Sequence, residues 1–278
     1  MISFPQSLPL CFFAIAAFAP LISGSAGASE EASAAPYVDS KAIKERFDEI
    51  SAGDMELLRG KKMLFASRSF GLNLFKGLTA LSKKDSQYDL VSSYERYNVF
   101  KEGGNLGIIP ADAFDKSNIV HFLATYHPHT KRLEEVNDLL GEGPHGFGKS
   151  VDVVIVYFHT ATPALFETYK TTLERWQSEY PNVKFIAVTS GFMGPKYAKE
   201  NDASQAFGEL VRAQLKGKVP VYDLGAILSD DFRVGNQFCP EYSADPAEVH
   251  PNLPAGEEMM AKGFLLILKE TFAPQPTP

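Results

Sequence analysis

Residues 61–75 read Lys61-Lys-Met-Leu-Phe-Ala-Ser-Arg-Ser-Phe-Gly-Leu-Asn-Leu-Phe75, and this stretch decides the fold. Its apolar run, residues 63–66, is long enough for one buried strand and too short for a helix. Small and polar residues follow, and from Phe70 onward apolar residues recur at helical spacing. The stretch therefore predicts a strand, a tight turn and a helix.

Ser69 stands at this predicted turn. A hydroxyl group there would be exposed at the carboxyl end of a central strand, and the N–H groups of the helix would stabilise an anion developing beside it. Ser69 is therefore the candidate nucleophile. Serine is also an ordinary helix N-cap, so the assignment depends on what the rest of the chain supplies.

The remaining chain continues to alternate strands with helices. Further strands are predicted at 151–158, 183–189 and 219–223, with strand-like pieces within 88–100. Helices are predicted at 41–58, 163–180, 195–215 and 257–271, and 114–140 is predicted to be mostly helical with a break at 127–128. This pattern indicates an α/β fold, a three-layer α/β/α sandwich with a mostly parallel, flavodoxin-like sheet. Pro220 suggests that the 219–223 strand lies toward the sheet edge.

Composition and charge exclude some classes of protein. The chain has 278 residues, a net charge of −7 and no run of Lys or Arg longer than two, so nucleic acid is not an expected partner. Cys239 would be the only cysteine of an exported chain, so the fold is expected to depend on its core rather than on disulfides. His127 and His129 supply only part of a metal coordination shell, and neither a metal nor a cofactor is expected.

The first 28 residues carry no charged side chain and contain an apolar stretch at 8–22, interrupted by two prolines. Ala26-Gly-Ala28 fits the small-x-small pattern before a signal-peptidase site. We therefore predict a signal peptide cleaved after Ala28, a secreted or periplasmic protein, and no stable membrane anchor. A linker at 29–40, one catalytic domain at 41–272 and a disordered tail at 273–278 complete the predicted organisation.

A second set of candidate catalytic residues lies before the last predicted helix, in residues 242–256. His250 is the candidate base, and Asp245 is the candidate carboxylate that would orient its imidazole. Glu248 is an alternative orienting acid because it lies closer in sequence, and Asp223 is another because it lies at the carboxyl end of a predicted strand. A histidine exposed on a loop is the alternative interpretation of His250.

These segments together resemble the SGNH (GDSL-like) hydrolase superfamily, in particular a branch with a Gly-His-Gln-Ser-Val-Gly-like nucleophile turn. Residues 66–71 resemble that turn, Gly104-Asn105 resembles the Gly-x-Asn loop, and residues 242–256 resemble the terminal Asp-x-x-His segment. The resemblance implies Ser69 as nucleophile, His250 as base and Asp245 as orienting acid.

The same resemblance implies an oxyanion hole built from the N–H groups of Ser69 and Gly104. His159 would donate in place of the asparagine that the superfamily supplies. The chain departs from the pattern at Arg68, where the superfamily usually has Asp, and in the five-residue spacing from Asp245 to His250.

The resemblance implies a secreted serine esterase that removes acyl groups, acetyl among them, from a carbohydrate or a small ester without a cofactor. An O-acyltransferase with the same triad and a catalytically inactive glycan-binding protein remain alternatives. The sequence does not indicate the acyl chain, the alcohol or the oligomeric state.

Overall fold

A parallel sheet of seven strands lies at the centre of residues 34–274, the part of the chain that this computed structural model describes. The strands are β1 (Tyr37–Val38), β2 (Met63–Ser67), β3 (Tyr94–Tyr97), β4 (Ile119–Leu123), β5 (Val153–Val156), β6 (Lys184–Val188) and β7 (Val221–Tyr222). Their spatial order is β1-β7-β6-β5-β2-β4-β3, and every adjacent pair is parallel. The five neighbouring strands β4-β2-β5-β6-β7 follow the flavodoxin-like strand order.

Helices cover both faces of the sheet. They are α1 (Ser40–Arg46), α2 (Ala52–Arg59), α3 (Ser69–Lys84), α4 (Ala113–Lys116), α5 (His129–Leu140), α6 (Pro163–Glu179), α7 (Ala198–Gln214), α8 (Leu224–Ser229) and α9 (Pro254–Phe272). Because successive strand residues point to opposite faces, Met63 and Phe65 pack with α1, α2, α3, α8 and α9, whereas Leu64 and Ala66 pack with α4, α5, α6 and α7. The predicted three-layer sandwich is confirmed.

The order of the strands locates a crevice in the sheet. From β2 the chain passes to β3 and β4 on one side, and it then crosses to β5 on the other side. Ligands of open α/β sheets bind outside the carboxyl ends of the strands where the order reverses in this way. Ser69 lies two residues after β2, and His159 lies three residues after β5, so both belong to this edge of the sheet.

Strand β4 was not predicted. Residues 114–140 were expected to be mostly helical, but Ile119–Leu123 forms β4 between β2 and β3, with Leu64 paired to Val120. Four of its five residues are buried, which is typical of a central parallel strand. A histidine in the middle of this run and the helices α4 and α5 on either side conceal it in the sequence.

The predicted linker at 29–40 is shorter than expected, because Tyr37–Val38 pairs with β7 and α1 begins at Ser40. This pairing makes β7 the second strand from the edge of the sheet, with β1 outside it. The predicted helix 41–58 is divided, since α1 ends at Arg46 and α2 begins after a capping box formed by Ser51 and Asp54.

The predicted signal peptide and the last four residues of the predicted tail lie outside the described residues. Within 34–274, no helix is both long and apolar enough to cross a membrane.

Candidate active site

Ser69 is the first residue of α3 and follows β2 after a single intervening residue, Arg68. The first N–H groups of a helix have no partner within the helix and carry its positive end. The N–H of Gly71 is already used, because it donates to the carbonyl of Arg68 at 2.9 Å. The predicted strand, turn and helix therefore place the Ser69 hydroxyl at the carboxyl edge of the sheet, beside a helix N-terminus.

His250 reaches Ser69 from the loop that precedes α9. Its Nε2 lies 2.6 Å from Oγ of Ser69, although the two residues are 181 positions apart in the sequence. The imidazole packs beside Phe70, with ring centroids 5.2 Å apart, and about a quarter of the side chain is exposed. The structure thus brings together the two side chains that the sequence proposed as nucleophile and base.

The carboxylate next to His250 is Glu248. Its Oε1 lies 3.4 Å from Nδ1 of His250 and also accepts the backbone N–H of that residue at 3.2 Å. Oε1 accepts a further N–H from Val249 at 2.8 Å, and the Asn252 amide donates to Oε2 at 3.2 Å. Four contacts hold this carboxylate in a fixed orientation beside the imidazole.

The structure does not bring Asp245 to His250. The exposed Asp245 carboxylate instead accepts the N–H of Ala247 at 2.8 Å, so it stabilises a turn of its own loop. Glu248, which the sequence left open as an alternative, occupies the position expected of Asp245.

The carboxylate of Asp223 contacts other residues and does not orient His250. It is fully buried, pairs with Arg212 at 2.9 Å and accepts the Thr189 hydroxyl at 2.8 Å. Its carboxylate also caps α8 through the N–H of Ala226 at 3.1 Å.

The surroundings keep His250 neutral at pH 7. Burial lowers the pKa of His250, the charge of Lys76 lowers it further, and the hydrogen bond and charge of Glu248 oppose these effects. Burial alone would raise the pKa of Glu248, but the N–H groups of Val249 and His250 together with the imidazole outweigh burial and lower it. A neutral imidazole whose Nε2 accepts the Ser69 proton carries its own proton on Nδ1, facing Glu248.

His159 lies beside this pair and presents an unpaired nitrogen. The residue is 6% exposed, and its Nε2 is buried without a hydrogen-bond partner among residues 34–274. Its ring packs against Phe70 at 4.5 Å and lies nearly parallel to that of His250 at 6.2 Å. Burial is the main cause that lowers the pKa of His159 to about 3, so the ring is neutral. Buried polar groups are nearly always paired, which makes this nitrogen a candidate contact for a ligand.

Gly104 does not offer a free donor. Its N–H donates to the carbonyl of Val99 at 2.9 Å, with the glycine in the left-handed region at φ +83°. The neighbouring Asn105 side chain accepts the N–H of Gly107 at 2.9 Å. Both residues of the Gly-x-Asn segment therefore hold their own loop together, contrary to the predicted oxyanion role of Gly104.

A pocket of about 330 Å³ opens over Ser69. Its lining consists of Arg68, Ser69, Tyr126, His159, Thr160, Met193, Tyr197, Glu200, Val249 and His250. Thr160 has φ +58°, a backbone conformation that is rare for non-glycine residues and that recurs at functional sites. Three of these wall residues, Tyr126, Thr160 and Met193, come from loops after three different strands.

The described residues contain no group of three or more His, Cys, Asp or Glu side chains that could hold a metal ion. His127 and His129, considered in the sequence as partial ligands, pack against each other with ring centroids 4.7 Å apart.

A second serine–histidine pair lies beneath the nucleophile turn. Nε2 of His121 is 2.7 Å from Oγ of Ser67, and Nδ1 is 2.8 Å from the hydroxyl of Tyr94. Burial lowers the pKa of His121 to about 3, so the ring is neutral. In the arrangement that satisfies every group, Tyr94 donates to Nδ1, Nε2–H donates to Ser67, and Ser67 donates to the carbonyl of Arg68 at 3.2 Å. This buried chain of hydrogen bonds stabilises the turn that carries Ser69.

We expect Gly71→Ala to destabilise the protein, because a Cβ atom at Gly71 would lie 2.0 Å from Oγ of Ser67 and 3.0 Å from Nε2 of His121. Overpacking of this kind costs about 1–3 kcal/mol of the free energy of unfolding, which urea denaturation would measure. The matched control is Gly53→Ala in α2, where the nearest atom is 3.7 Å away. That change is expected to be neutral or to stabilise by up to about 1 kcal/mol. Equal effects of the two substitutions would contradict the close packing under the turn.

The comparisons with known proteins are limited to distant structural likeness. No family model matches the chain, and no curated protein matches it significantly. The catalytic domain of peptidoglycan O-acetyltransferase A from Streptococcus pneumoniae aligns at 14% identity, covering 76% of this chain and 94% of that one, with a TM-score of 0.45. A second protein of that bacterium, whose assignment as a platelet activating factor is itself provisional, aligns at 13% identity, covering 82% and 97%, with a TM-score of 0.43. At these scores, the likeness supports no conclusion about function.

Proposed function

We propose that the chain is a serine esterase of the SGNH type, with Ser69 as nucleophile, His250 as general base and Glu248 as the acid that orients it. The observation that carries the proposal is the 2.6 Å contact between Oγ of Ser69 and Nε2 of His250 at the carboxyl edge of the sheet. The motif resemblance of residues 66–71 and 242–256 to that superfamily supports it.

In this mechanism the Ser69 oxygen attacks the ester carbonyl carbon while its proton passes to Nε2 of His250. Glu248 stabilises the imidazolium that forms. The tetrahedral intermediate then breaks its bond to the alcohol, which leaves with the proton held by His250. Water next attacks the acyl group on Ser69 and gives its proton to His250. His250 then returns this proton to Oγ of Ser69 as the bond to the acyl group breaks, and the acid is released.

The proposed oxyanion hole has two donors. One is the N–H of Ser69 at the positive end of α3. The other is Nε2–H of His159, whose Nδ1 would accept the hydroxyl of Tyr157, 3.4 Å away. The role first given to Gly104 is not retained, because its N–H is bonded to Val99.

The proposed substrate is an acyl ester of a carbohydrate, cleaved outside the cytoplasm. The pocket of about 330 Å³ over Ser69 is compatible with a short acyl group. Export is the expectation from residues 1–28.

The pH dependence of kcat/KM should report the titration of His250. Burial lowers the pKa of His250 below its ordinary value of 6.5. Because the protonated ring cannot accept the Ser69 proton, kcat/KM should fall as the pH drops through a midpoint below 6.5, and it should be constant from pH 7 to 8. The measurement is kcat/KM for p-nitrophenyl acetate from pH 4.5 to 8. A midpoint clearly above 6.5 would contradict a partly buried base.

We expect His159→Leu to lower kcat by about 10²-fold, the loss typical of one oxyanion donor, and to leave KM nearly unchanged. His159→Gln is the matched control, because its amide can still donate, and it should retain more activity than the leucine variant. Steady-state kinetics with p-nitrophenyl acetate would measure both. If the leucine variant keeps the wild-type kcat, His159 is not a donor of the oxyanion hole.

The experiment that tests the function is hydrolysis of p-nitrophenyl acetate with and without an added sugar acceptor. Release of acetate to water supports the esterase. Acetyl transfer to the sugar in preference to water would instead indicate an acyltransferase, and turnover no faster than buffer would indicate an inactive binding protein.

A further inference from the structure

A groove of about 450 Å³ runs between α3 and the edge strand β3. Its floor contains apolar and aromatic side chains, among them Phe75 and Tyr94. Its rim carries the cationic side chains Lys76, Lys83 and Arg96, all of them exposed. None of these residues is a reacting group in the esterase mechanism proposed above, although the charge of Lys76 acts on His250.

The charge of the groove contrasts with that of the chain. The net charge of the chain is −7, yet the groove is lined by three cations and no carboxylate. Lys76 lies 3.7 Å from Glu257. Among residues 34–274, no carboxylate oxygen lies within 4.0 Å of the charged nitrogens of Lys83 or Arg96. The two unpaired cations would attract an anionic ligand that lies along the groove.

The groove begins near the nucleophile. Ser69, Leu72, Lys76 and Lys83 stand at positions 0, 3, 7 and 14 of α3, which lie on one side of a helix with 3.6 residues per turn. At 1.5 Å per residue, Lys83 lies about 21 Å along the helix from Ser69. The charge of Lys76 also acts on the imidazole of His250, where it lowers the pKa. The cationic rim therefore leads away from the site of ester cleavage.

We propose that this groove binds an anionic segment of the glycan whose ester is cleaved at Ser69. The inference rests on the proposed function for the identity of the bound polymer. Lys83 and Arg96 would contact acidic groups of successive sugars, and the ring of Tyr94 would pack against a sugar face. Charge complementarity selects an anionic polymer rather than a neutral one.

The same observations weigh against two other classes of ligand. The overall negative charge disfavours nucleic acid, which a basic face usually attracts. Addition of a peptide strand to β3 is disfavoured because the short edge strand carries Glu95 and Arg96, and charged side chains on an edge oppose such pairing.

The proposal is tested by the affinity for a galacturonic acid decamer. This affinity is measured by isothermal titration calorimetry on the Ser69→Ala variant, which cannot cleave an ester. Maltodecaose is the neutral control for the ligand. The double variant Lys83→Gln/Arg96→Gln should bind the acidic decamer about tenfold more weakly, because it loses two charge-assisted contacts. The control variant Lys184→Gln/Lys218→Gln removes the same charge near the opposite edge of the sheet, and it should bind as the parent does.

Hydrolysis of p-nitrophenyl acetate by the two double variants, made without the Ser69 change, separates this inference from the proposed function. If the groove acts only on the polymer, both variants should turn over this small ester at the wild-type rate. If the wild type does not hydrolyse the ester, the proposed esterase function is wrong. The calorimetry would still show whether the groove binds the acidic decamer. Equal affinity of the groove and control variants for the acidic decamer would overturn the inference. So would tighter binding of maltodecaose, single-stranded DNA or an acidic peptide than of the acidic decamer.

Discussion

Ser69→Ala is expected to lower kcat/KM for p-nitrophenyl acetate by at least about 10³-fold, because loss of a serine nucleophile removes covalent catalysis and leaves only binding and the oxyanion hole. The Ser69 hydroxyl is the only serine oxygen within hydrogen-bonding distance of His250 among residues 34–274. The substitution removes one oxygen atom at the surface of the pocket, so the free energy of unfolding should hardly change.

Ser67→Ala is the matched control for this result. Ser67 also contacts a histidine, but it is fully buried and its partner is His121. We expect this variant to be less stable, since it leaves His121 without an acceptor, and to retain kcat/KM within about tenfold of the wild-type value. If Ser67→Ala abolishes turnover and Ser69→Ala does not, the nucleophile has been assigned to the wrong serine.

Glu248→Gln is expected to lower kcat by about 10²-fold or more, because an amide cannot stabilise the imidazolium as a carboxylate does. It should also change the pH profile. Glu248 raises the pKa of His250 by its hydrogen bond and its charge. Without that carboxylate the pKa of His250 falls further, so the acidic limb of kcat/KM should move to lower pH.

Asp245→Asn distinguishes the observed arrangement from the one predicted by sequence spacing. The Asp245 side chain accepts the N–H of Ala247, and the asparagine oxygen can accept it equally well. Both kcat and the midpoint of the acidic limb should therefore remain at wild-type values. A larger loss of kcat in Asp245→Asn than in Glu248→Gln would show that the loop rearranges when substrate binds.

The elements nearest the nucleophile could be predicted because the evidence for them is local. Residues 61–75 contain the apolar run, the turn residues and the helical spacing, and the structure has β2 and α3 there. The acid partner could not be predicted in this way. Which carboxylate reaches His250 depends on the backbone path of residues 245–250, where Asp245 closes a turn and Glu248 follows it.

The other differences also arise from contacts between distant segments. His121 was not recognised because the strand that contains it was assigned to a helix, and its contacts with Ser67 and Tyr94 join three strands. The N–H of Gly104 is used by a carbonyl only five residues earlier, which motif similarity does not reveal. The cationic groove combines one side of α3 with an edge strand whose position depends on the whole topology.

Labelling with a fluorophosphonate, followed by mass spectrometry of the peptides, is the most direct test of an activated serine at the carboxyl edge of this sheet. The reagent bonds covalently to a serine whose proton a neighbouring base can accept. The arrangement of Ser69 and His250 predicts a single adduct on Ser69 in the wild type and none in His250→Ala. An unmodified Ser69, or an adduct that forms equally fast without His250, would contradict it.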